Sequence, residues 1–186
     1  AELAFWSSFL LSYTGRLTQG ETRLNLAESQ WQALAASQEL TPEEFKRRRG
    51  RIAMLRGILA ARRGQNADAI RLADEAFAQL PLDDYVFQGG TYTVLGLAHL
   101  NRGELFEAQQ DYQQAAEQAR TVDHWFLLVG ALGRLAPIQI ALGQLHAAAT
   151  TCRQLLALPI VQSRNLPGSG FAHVGLAGVY YQQGAL

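Results

Sequence analysis

Eight basic side chains lie within one 18-residue stretch of the chain, and no acidic residue interrupts them. The stretch runs from Lys46 to Arg63 and holds half of the 16 basic residues of the protein. Guanidinium groups bind carboxylates and phosphates through paired hydrogen bonds, so this stretch could bind an anion or an acidic partner. The alternative is a solvated helix face whose charges are balanced by acids on neighbouring helices. The sequence leaves both interpretations open.

The spacing of these arginines assigns them to helix faces. Arg49, Arg56 and Arg63 follow one another at intervals of seven residues and share one face of a helix. Arg51 and Arg62, eleven residues apart, share a second face. Acidic and basic residues balance at 16 each over the whole chain, so we expect no direct contact with nucleic acid.

Side chains for catalysis or metal binding are scarce. Cys152, the one cysteine, is six residues from His146, which places the two on opposite sides of a helix and argues against a catalytic dyad. One cysteine with four scattered histidines provides neither a disulfide nor a metal site and suits a reducing cytoplasm. No phosphate-binding loop of the form G-x-x-x-x-G-K-[ST] is present. We therefore expect no enzyme activity and no cofactor in this chain.

The apolar segments are too short for a membrane span, which needs roughly 18 apolar residues. The first residues, AELAFWSSFLLSY, carry Glu2 and no basic segment, unlike a signal peptide. The chain does not begin with Met, and its last residues, QQGAL, resemble the middle of a repeat unit. We expect one domain, residues 1–186, that is a piece of a longer protein.

An internal repeat is anchored on five glycines, at intervals of 49, 39, 40 and 41 residues. The anchors are Gly15, Gly64, Gly103, Gly143 and Gly184. A small residue stands seven positions before each anchor: Ser8, Gly57, Gly96, Ala136 and Ala177. Leucine stands two positions after it, at Leu17, Leu105, Leu145 and Leu186, with Asn66 as the exception. Small residues return five positions after it, at Gly20, Ala69, Ala108 and Ala148.

This pattern predicts helical hairpins that stack on one another. The anchor glycine would end the first helix in the left-handed conformation that costs glycine little. The small residues before and after it would let the two helices approach closely. One hairpin cannot bury its inner face alone, whereas stacked hairpins can. The fold is therefore expected to be all-α, with about four and a half hairpins in a right-handed superhelix.

Nine helices are predicted, separated by breakers at Pro81, Pro159 and the run 163–170, SRNLPGSG. Thr41, Pro42 and the two following acids predict the start of the third helix. Pro137 predicts a kink or a later start for the seventh. The predicted ranges are 3–14, 18–36, 43–63, 66–80, 84–102, 105–120, 124–142, 145–157 and 170–183.

Three phrases carry a resemblance to a known family. They are LRGILAARRGQNADAIRLADEAFAQLP at 55–81, LGLAHLNRGELFEAQQDYQQAAEQA at 95–119 and GFAHVGLAGVYYQQGAL at 170–186. They resemble the tetratricopeptide-like helical region of MalT-type regulators, which are ATP-dependent transcription activators of the LuxR type. The resemblance implies an effector-sensing and oligomerisation domain in the bacterial cytoplasm. ATP binding and DNA binding would then belong to other modules of the longer protein.

The resemblance places an effector or a protein partner in the groove lined by the first helix of each hairpin. Aromatic side chains beside Arg, Asn and Thr could hold a sugar by stacking and hydrogen bonds, or could hold a peptide. A scaffold that binds a partner and no small molecule is the alternative function. Trp6, Trp31 and Trp125 are expected to be packing residues, and Cys152 a small buried one. The candidate groove residues are Phe9, Arg51, Met54, Arg62, Thr93, Asn101 and Tyr181.

Overall fold

The protein is all-helical in a computed structural model that describes residues 1–164, 167–182 and 184. In these residues there are ten helices and no strand. They are α1 (Glu2–Tyr13), α2 (Leu17–Ala36), α3 (Pro42–Arg62), α4 (Asn66–Gln79), α5 (Tyr85–Arg102), α6 (Leu105–Thr121), α7 (Trp125–Ala141), α8 (Leu145–Ala157), α9 (Pro159–Arg164) and α10 (Pro167–Gln182).

The helices pair into four hairpins, α1–α2, α3–α4, α5–α6 and α7–α8, each packed on the next. The first helices form one layer, because α1 packs on α3, α3 on α5, α5 on α7 and α7 on α10. The second helices join consecutive hairpins by packing on the first helix that follows them. This is the predicted stack of tetratricopeptide-like hairpins. The right-handed superhelix stays a prediction.

All five anchor glycines adopt the predicted left-handed conformation, with φ between 65° and 79°. Gly103 is the C-cap of α5, and its N–H donates to the carbonyl of Leu100. The next helix of each complete hairpin begins two residues after the anchor, at Leu17, Asn66, Leu105 or Leu145. The fifth leucine of that series, Leu186, lies outside the described residues.

Small residues bring the helices into close contact, as predicted. A Cβ added to Gly57 would lie 2.8 Å from Cγ1 of Val94, and one added to Gly96 would lie 2.9 Å from Cε2 of Tyr112. Distances this short leave no room for a methyl group without movement of the neighbour. The glycine seven positions before the anchor therefore makes space for a side chain of the stack.

The start of α3 has the predicted capping arrangement. The Thr41 hydroxyl accepts a hydrogen bond from the Glu44 N–H at 3.2 Å, while the Glu44 carboxylate accepts one from the Thr41 N–H at 2.9 Å. Pro42 occupies the first helical position, where its missing N–H costs nothing. This reciprocal cap fixes the residue at which the arginine-rich helix begins.

The structure corrects two predicted boundaries. The segment around Pro159 is not a plain break, because proline is favoured at a first helical position and starts the short helix α9. Likewise α10 begins at Pro167, inside the run 163–170, rather than at residue 170; residues 165 and 166 of that run and Gln183 lie outside the described residues. The later start considered for the seventh helix is also wrong. It begins at Trp125 and contains Pro137.

No helix in the described part of the chain is both long and apolar enough to cross a bilayer.

Candidate ligand-binding face

The first helices of the hairpins share one side of the stack, which we call the first-helix face. We define it by Phe9 and Tyr13 of α1, Arg62 of α3, and Phe126 and Arg134 of α7. On this face the first hairpin returns to contact the fourth, because the ring of Tyr13 lies 5.4 Å from that of Phe126 between centroids. Side chains more than a hundred residues apart in sequence are therefore neighbours.

A chain of aromatic contacts crosses the first-helix face. Phe9 contacts the rings of Tyr13 at 4.8 Å, Trp6 at 6.0 Å and Phe126 at 6.1 Å between centroids. Trp125 contacts Phe126 at 5.9 Å. Several of these rings keep solvent-exposed surface, including Trp6 at 46% and Phe126 at 41% exposure. Exposed rings grouped in this way are typical of a surface that binds a planar or apolar partner.

Arg62 lies against this aromatic wall. Its guanidinium carbon is 4.9 Å from the ring centroid of Tyr13, a cation–π distance. Its Nε is buried and has no hydrogen-bond partner in the described part of the chain. Burial lowers the pKa of Arg62, and the nearby charge of Arg134 lowers it further. The positive charge of Arg134 therefore acts on Arg62, and neither side chain forms an ion pair with an acid among the described residues.

Tyr112 of α6 interacts electrostatically with Arg62 and Arg134 of this face. It is fully buried, and its ring passes Gly96 of α5 at the distance where a side chain would otherwise stand. Its hydroxyl has no hydrogen-bond partner among the described residues. Burial raises the pKa of Tyr112 to about 12, while the positive charges of Arg134 and Arg62 act in the opposite direction. The phenol thus lies within electrostatic reach of both arginines.

Arg134 belongs to a regular row on α7. Phe126, Gly130 and Arg134 follow one another at intervals of four residues and so share one face of the helix. A Cβ placed on Gly130 would meet no atom within 4 Å. The row therefore has an aromatic ring at one end, a cation at the other and open space between them.

Five of the other six arginines of the basic stretch have acidic partners, as one of the two interpretations predicted, and Arg47 is the exception among the described ion pairs. The ion pairs are Arg48–Glu2 at 3.0 Å, Arg49–Glu75 at 3.9 Å, Arg51–Asp84 at 2.9 Å, Arg56–Glu28 at 2.6 Å and Arg63–Glu21 at 2.7 Å. Lys46 and Arg47 line a small pocket with Glu43 and Glu44 at the start of α3. Most of the charge cluster is thus balanced by acids from neighbouring elements.

The sequence-predicted groove residues fall into two groups. Phe9 and Arg62 both contact Tyr13, so the structure brings them together. Arg51 is held away from them, by Asp84 and by the ring of Phe87 at 4.2 Å. Sequence reasoning had placed Arg51 and Arg62 on one face, but their surroundings differ.

The remaining predicted residues make structural contacts. Met54 is buried and packs against Gly90, with Sδ 3.3 Å from the position of an added Cβ. The Thr93 hydroxyl donates to the carbonyl of Gly89 at 3.1 Å, and the Asn101 amide donates to the carbonyl of Ala61 at 2.8 Å. Tyr181 of α10 is 75% exposed. Asn101 therefore ties α5 to the end of α3, next to Arg62.

The tryptophans behave differently from one another. Trp31 is buried, which confirms its packing role, but Trp6 and Trp125 remain 46% and 48% exposed at the edge of the first-helix face. The sequence analysis missed Tyr13, Phe126 and Arg134 in this face. Phe126 and Arg134 had a readable signal in their four-residue spacing with Gly130.

Two further groups complete the chemistry of the chain. Cys152 is buried, as predicted, and burial raises the pKa of its thiol. Nδ1 of His99 lies 2.7 Å from the Asp111 carboxylate, and burial raises the pKa of Asp111 against the effect of that contact. No cluster of three or more metal-ligating side chains occurs in residues 1–164, 167–182 and 184.

Stacked helical hairpins with left-handed glycine turns and a continuous first-helix face define a repeat protein of the tetratricopeptide class. A family model described as the MalT-like TPR region matches residues 50–186, and the chain belongs to this family.

The chain is similar to several bacterial proteins named HTH-type transcriptional regulator MalT. It is 29% identical to those of Yersinia pestis (strain Pestoides F) and Yersinia pseudotuberculosis serotype O:1b (strain IP 31758), over 165 residues that cover 89% of this chain and 17% of each relative. It is 35% identical to that of Serratia proteamaculans (strain 568) over 112 residues, 60% of this chain and 12% of the relative. The chain thus spans less than a fifth of their length. No solved structure gives a significant match.

Proposed function

We propose that this chain is the effector-sensing and oligomerisation part of a MalT-like transcription regulator, and that it binds a small molecule or a partner on the first-helix face. The carrying observation is the grouping on that face of partly exposed rings with two arginines that have no acidic partner among the described residues. Family membership and the name of the relatives support the regulatory setting.

The mechanism we propose uses the contact between the first and fourth hairpins. A ligand bound against Tyr13 and Phe126 would contact both α1 of the first hairpin and α7 of the fourth. It would thereby favour one relative arrangement of these hairpins. The shift in population is limited to the ligand's difference in affinity for the two arrangements. The favoured arrangement would expose or complete a surface for self-association.

In this proposal, the other activities of such a regulator belong to other modules of a longer protein. The chain carries no catalytic function and no ATP site of its own, and it does not touch DNA. ATP binding and DNA binding are assigned to other modules of a longer regulator, which acts in the cytoplasm.

The test is a thermal-unfolding screen of this chain with small metabolites at millimolar concentration, including neutral mono- and oligosaccharides and organic acids. A ligand present at 100 times its dissociation constant stabilises the folded state by about 2.7 kcal/mol. We expect a hit whose stabilisation is lost in Arg62→Gln and kept in Arg153→Gln, which changes an exposed arginine of α8. The same hit should change the sedimentation coefficient of the chain if it drives self-association.

The contrary result is also informative. If no compound in the screen raises the unfolding temperature, ligand sensing by this chain is wrong. The alternative function, a scaffold that binds a peptide or a partner protein, would then be favoured.

A further inference from the structure

We infer that the first-helix face binds a small organic anion, with its negative group between Arg62 and Arg134 and with the hydroxyl of Tyr112 as a hydrogen-bond donor to it. This inference rests on the proposed function, because it assigns a ligand class to the same face. It adds a charge and a position that the proposed function leaves open.

The first argument is the contrast between Arg62 and its neighbours on α3. Four arginines of this helix and its C-cap Arg63 have an acid within 4.0 Å. In the described part of the chain none is found for the exposed Arg47 or for the partly buried Arg62. Arg134 adds a second positive charge on the same face, because it shares one side of α7 with Phe126, whose ring contacts Tyr13, and Tyr13 in turn contacts Arg62. Two positive charges on a partly buried face repel each other, which costs free energy. An anion bound between them offsets this repulsion.

The second argument is the number of buried donors that have no partner. Both Nε of Arg62 and the hydroxyl of Tyr112 are buried without a hydrogen-bond partner in the described residues. Tyr112 is fully buried, so this unsatisfied hydroxyl costs free energy in the ligand-free protein. An anion that displaces the side chains covering these atoms would offer oxygen acceptors to them.

The hydroxyl of Tyr112 keeps its proton at neutral pH, because burial raises its pKa to about 12. It is therefore a donor and not a competing anion. Its ring is fully buried and packs on Gly96, whose missing side chain leaves room for it. A fixed donor of this kind is pre-organised for a ligand and loses little entropy on binding.

The third argument concerns the rest of the ligand. Tyr13 and Phe126 form a wall of rings next to Arg62, and Gly130 leaves space between Phe126 and Arg134. A planar or apolar group attached to the anionic group would pack against these rings. The arrangement suits a small molecule with one acidic group and one ring better than an inorganic ion.

The experiment is isothermal titration of the chain with three probes that share a phenyl ring: benzoate, phenyl phosphate and neutral benzyl alcohol. We expect benzoate or phenyl phosphate to bind and benzyl alcohol to bind at least roughly tenfold more weakly, since a charged hydrogen bond is worth more than 1.4 kcal/mol. Which of the two anions binds more tightly distinguishes a carboxylate ligand from a phosphate ligand.

Four variants locate the site. Arg62→Gln and Arg134→Gln should each weaken anion binding by roughly tenfold, and Tyr112→Phe by roughly threefold to tenfold. Arg153→Gln, the control in an exposed arginine, should change the affinity by less than about twofold. Thermal unfolding without ligand confirms that each variant is folded, so a loss of affinity cannot be a loss of structure.

Three results would overturn the inference. Equal affinities for benzyl alcohol and the anions would show that the negative charge does not contribute to binding. Unchanged affinities in Arg62→Gln and Arg134→Gln would show that the anion does not bind between these two arginines. Binding of an acidic peptide with no binding of either anion at about 10 mM would replace the small molecule by a protein partner. Neutral sugars that bind with an affinity insensitive to both arginine variants would overturn the anion but leave the proposed function intact.

Discussion

Two sides of α3, taken together with its C-cap Arg63, carry arginines in opposite surroundings. On one side Arg56 and Arg63 meet the acids of α2, at 2.6 Å from Glu28 and 2.7 Å from Glu21. On the other side Arg62 meets a tyrosine ring and the positive charge of Arg134. Arg62 and Arg63 are adjacent in sequence, yet Arg63 is neutralised by Glu21, whereas no acid among the described residues neutralises Arg62.

This difference separates charge that supports the fold from charge that is available to a ligand. Exposed ion pairs contribute little stability each, but they neutralise the face and leave no free site for an anion. A cation without an acid, next to a buried hydroxyl without a partner, costs stability in the free protein. Such costs are concentrated at functional sites.

The largest effect on the ligand-binding side of the molecule is expected from a substitution that displaces the ring of Tyr112. In Gly96→Ala the new Cβ would lie 2.9 Å from the Tyr112 ring, so we expect a loss of about 1–2 kcal/mol of unfolding free energy despite the better helix propensity of alanine. Gly130→Ala, in the open part of α7, should gain about 0.5–1 kcal/mol. Urea denaturation of both variants measures the difference, and equal effects would show that Tyr112 does not pass Gly96.

The pH dependence of stability sharpens the account of the buried phenol. The pKa of Tyr112 is raised from 10.0 to about 12 in the folded state, so its contribution to stability is present below pH 10 and is lost as the pH rises through 12. Between pH 9 and 12 the wild type should lose roughly 2 kcal/mol more than Tyr112→Phe. Tyr13 is retained in both proteins, so only its electrostatic coupling to Tyr112 differs between them.

At neutral pH the same variant should be as stable as the wild type or slightly more stable, because it removes a hydroxyl that has no partner among the described residues. Chemical denaturation at pH 7.5 measures this. A loss of more than about 1 kcal/mol would mean that the hydroxyl is hydrogen-bonded inside the fold.

The balanced side of α3 is tested by a double-mutant cycle. Arg56 donates two hydrogen bonds to Glu28, at 2.6 and 3.2 Å, from a partly exposed position. Replacing both with alanine, singly and together, should give a favourable coupling of about 0.5–1 kcal/mol that decreases in high salt. A coupling of zero at low salt would contradict the described pairing.

The sequence predicts the hairpins well because their signals are local. Each anchor glycine, the small residue seven positions before it and the helix start two positions after it lie within one hairpin, and packing enforces them there. Thr41 and Glu44 are three residues apart and specify the cap between them. Pro159 was misjudged because proline both breaks a helix and begins one.

The ligand face could be predicted only in part, because its contacts are not local. The approach of Tyr13 to Phe126 depends on the accumulated geometry of three hairpins, which no single repeat encodes. The repeat frame placed Phe9 and Arg62 on the first-helix side, and the candidate groove residues also included Arg51. It could not show that Asp84 neutralises Arg51 while no described acid reaches Arg62.

The most direct measurement is a double-mutant cycle in the free energy of unfolding with Arg62→Gln, Arg134→Gln and the double variant. The cycle gives the coupling free energy between the two arginines, and it is measured with and without saturating phenyl phosphate. Without ligand, the coupling should be unfavourable, by up to about 0.5 kcal/mol, because the two cations repel each other. With the anion bound between them, it should become favourable. A coupling that the anion leaves unchanged would contradict the account.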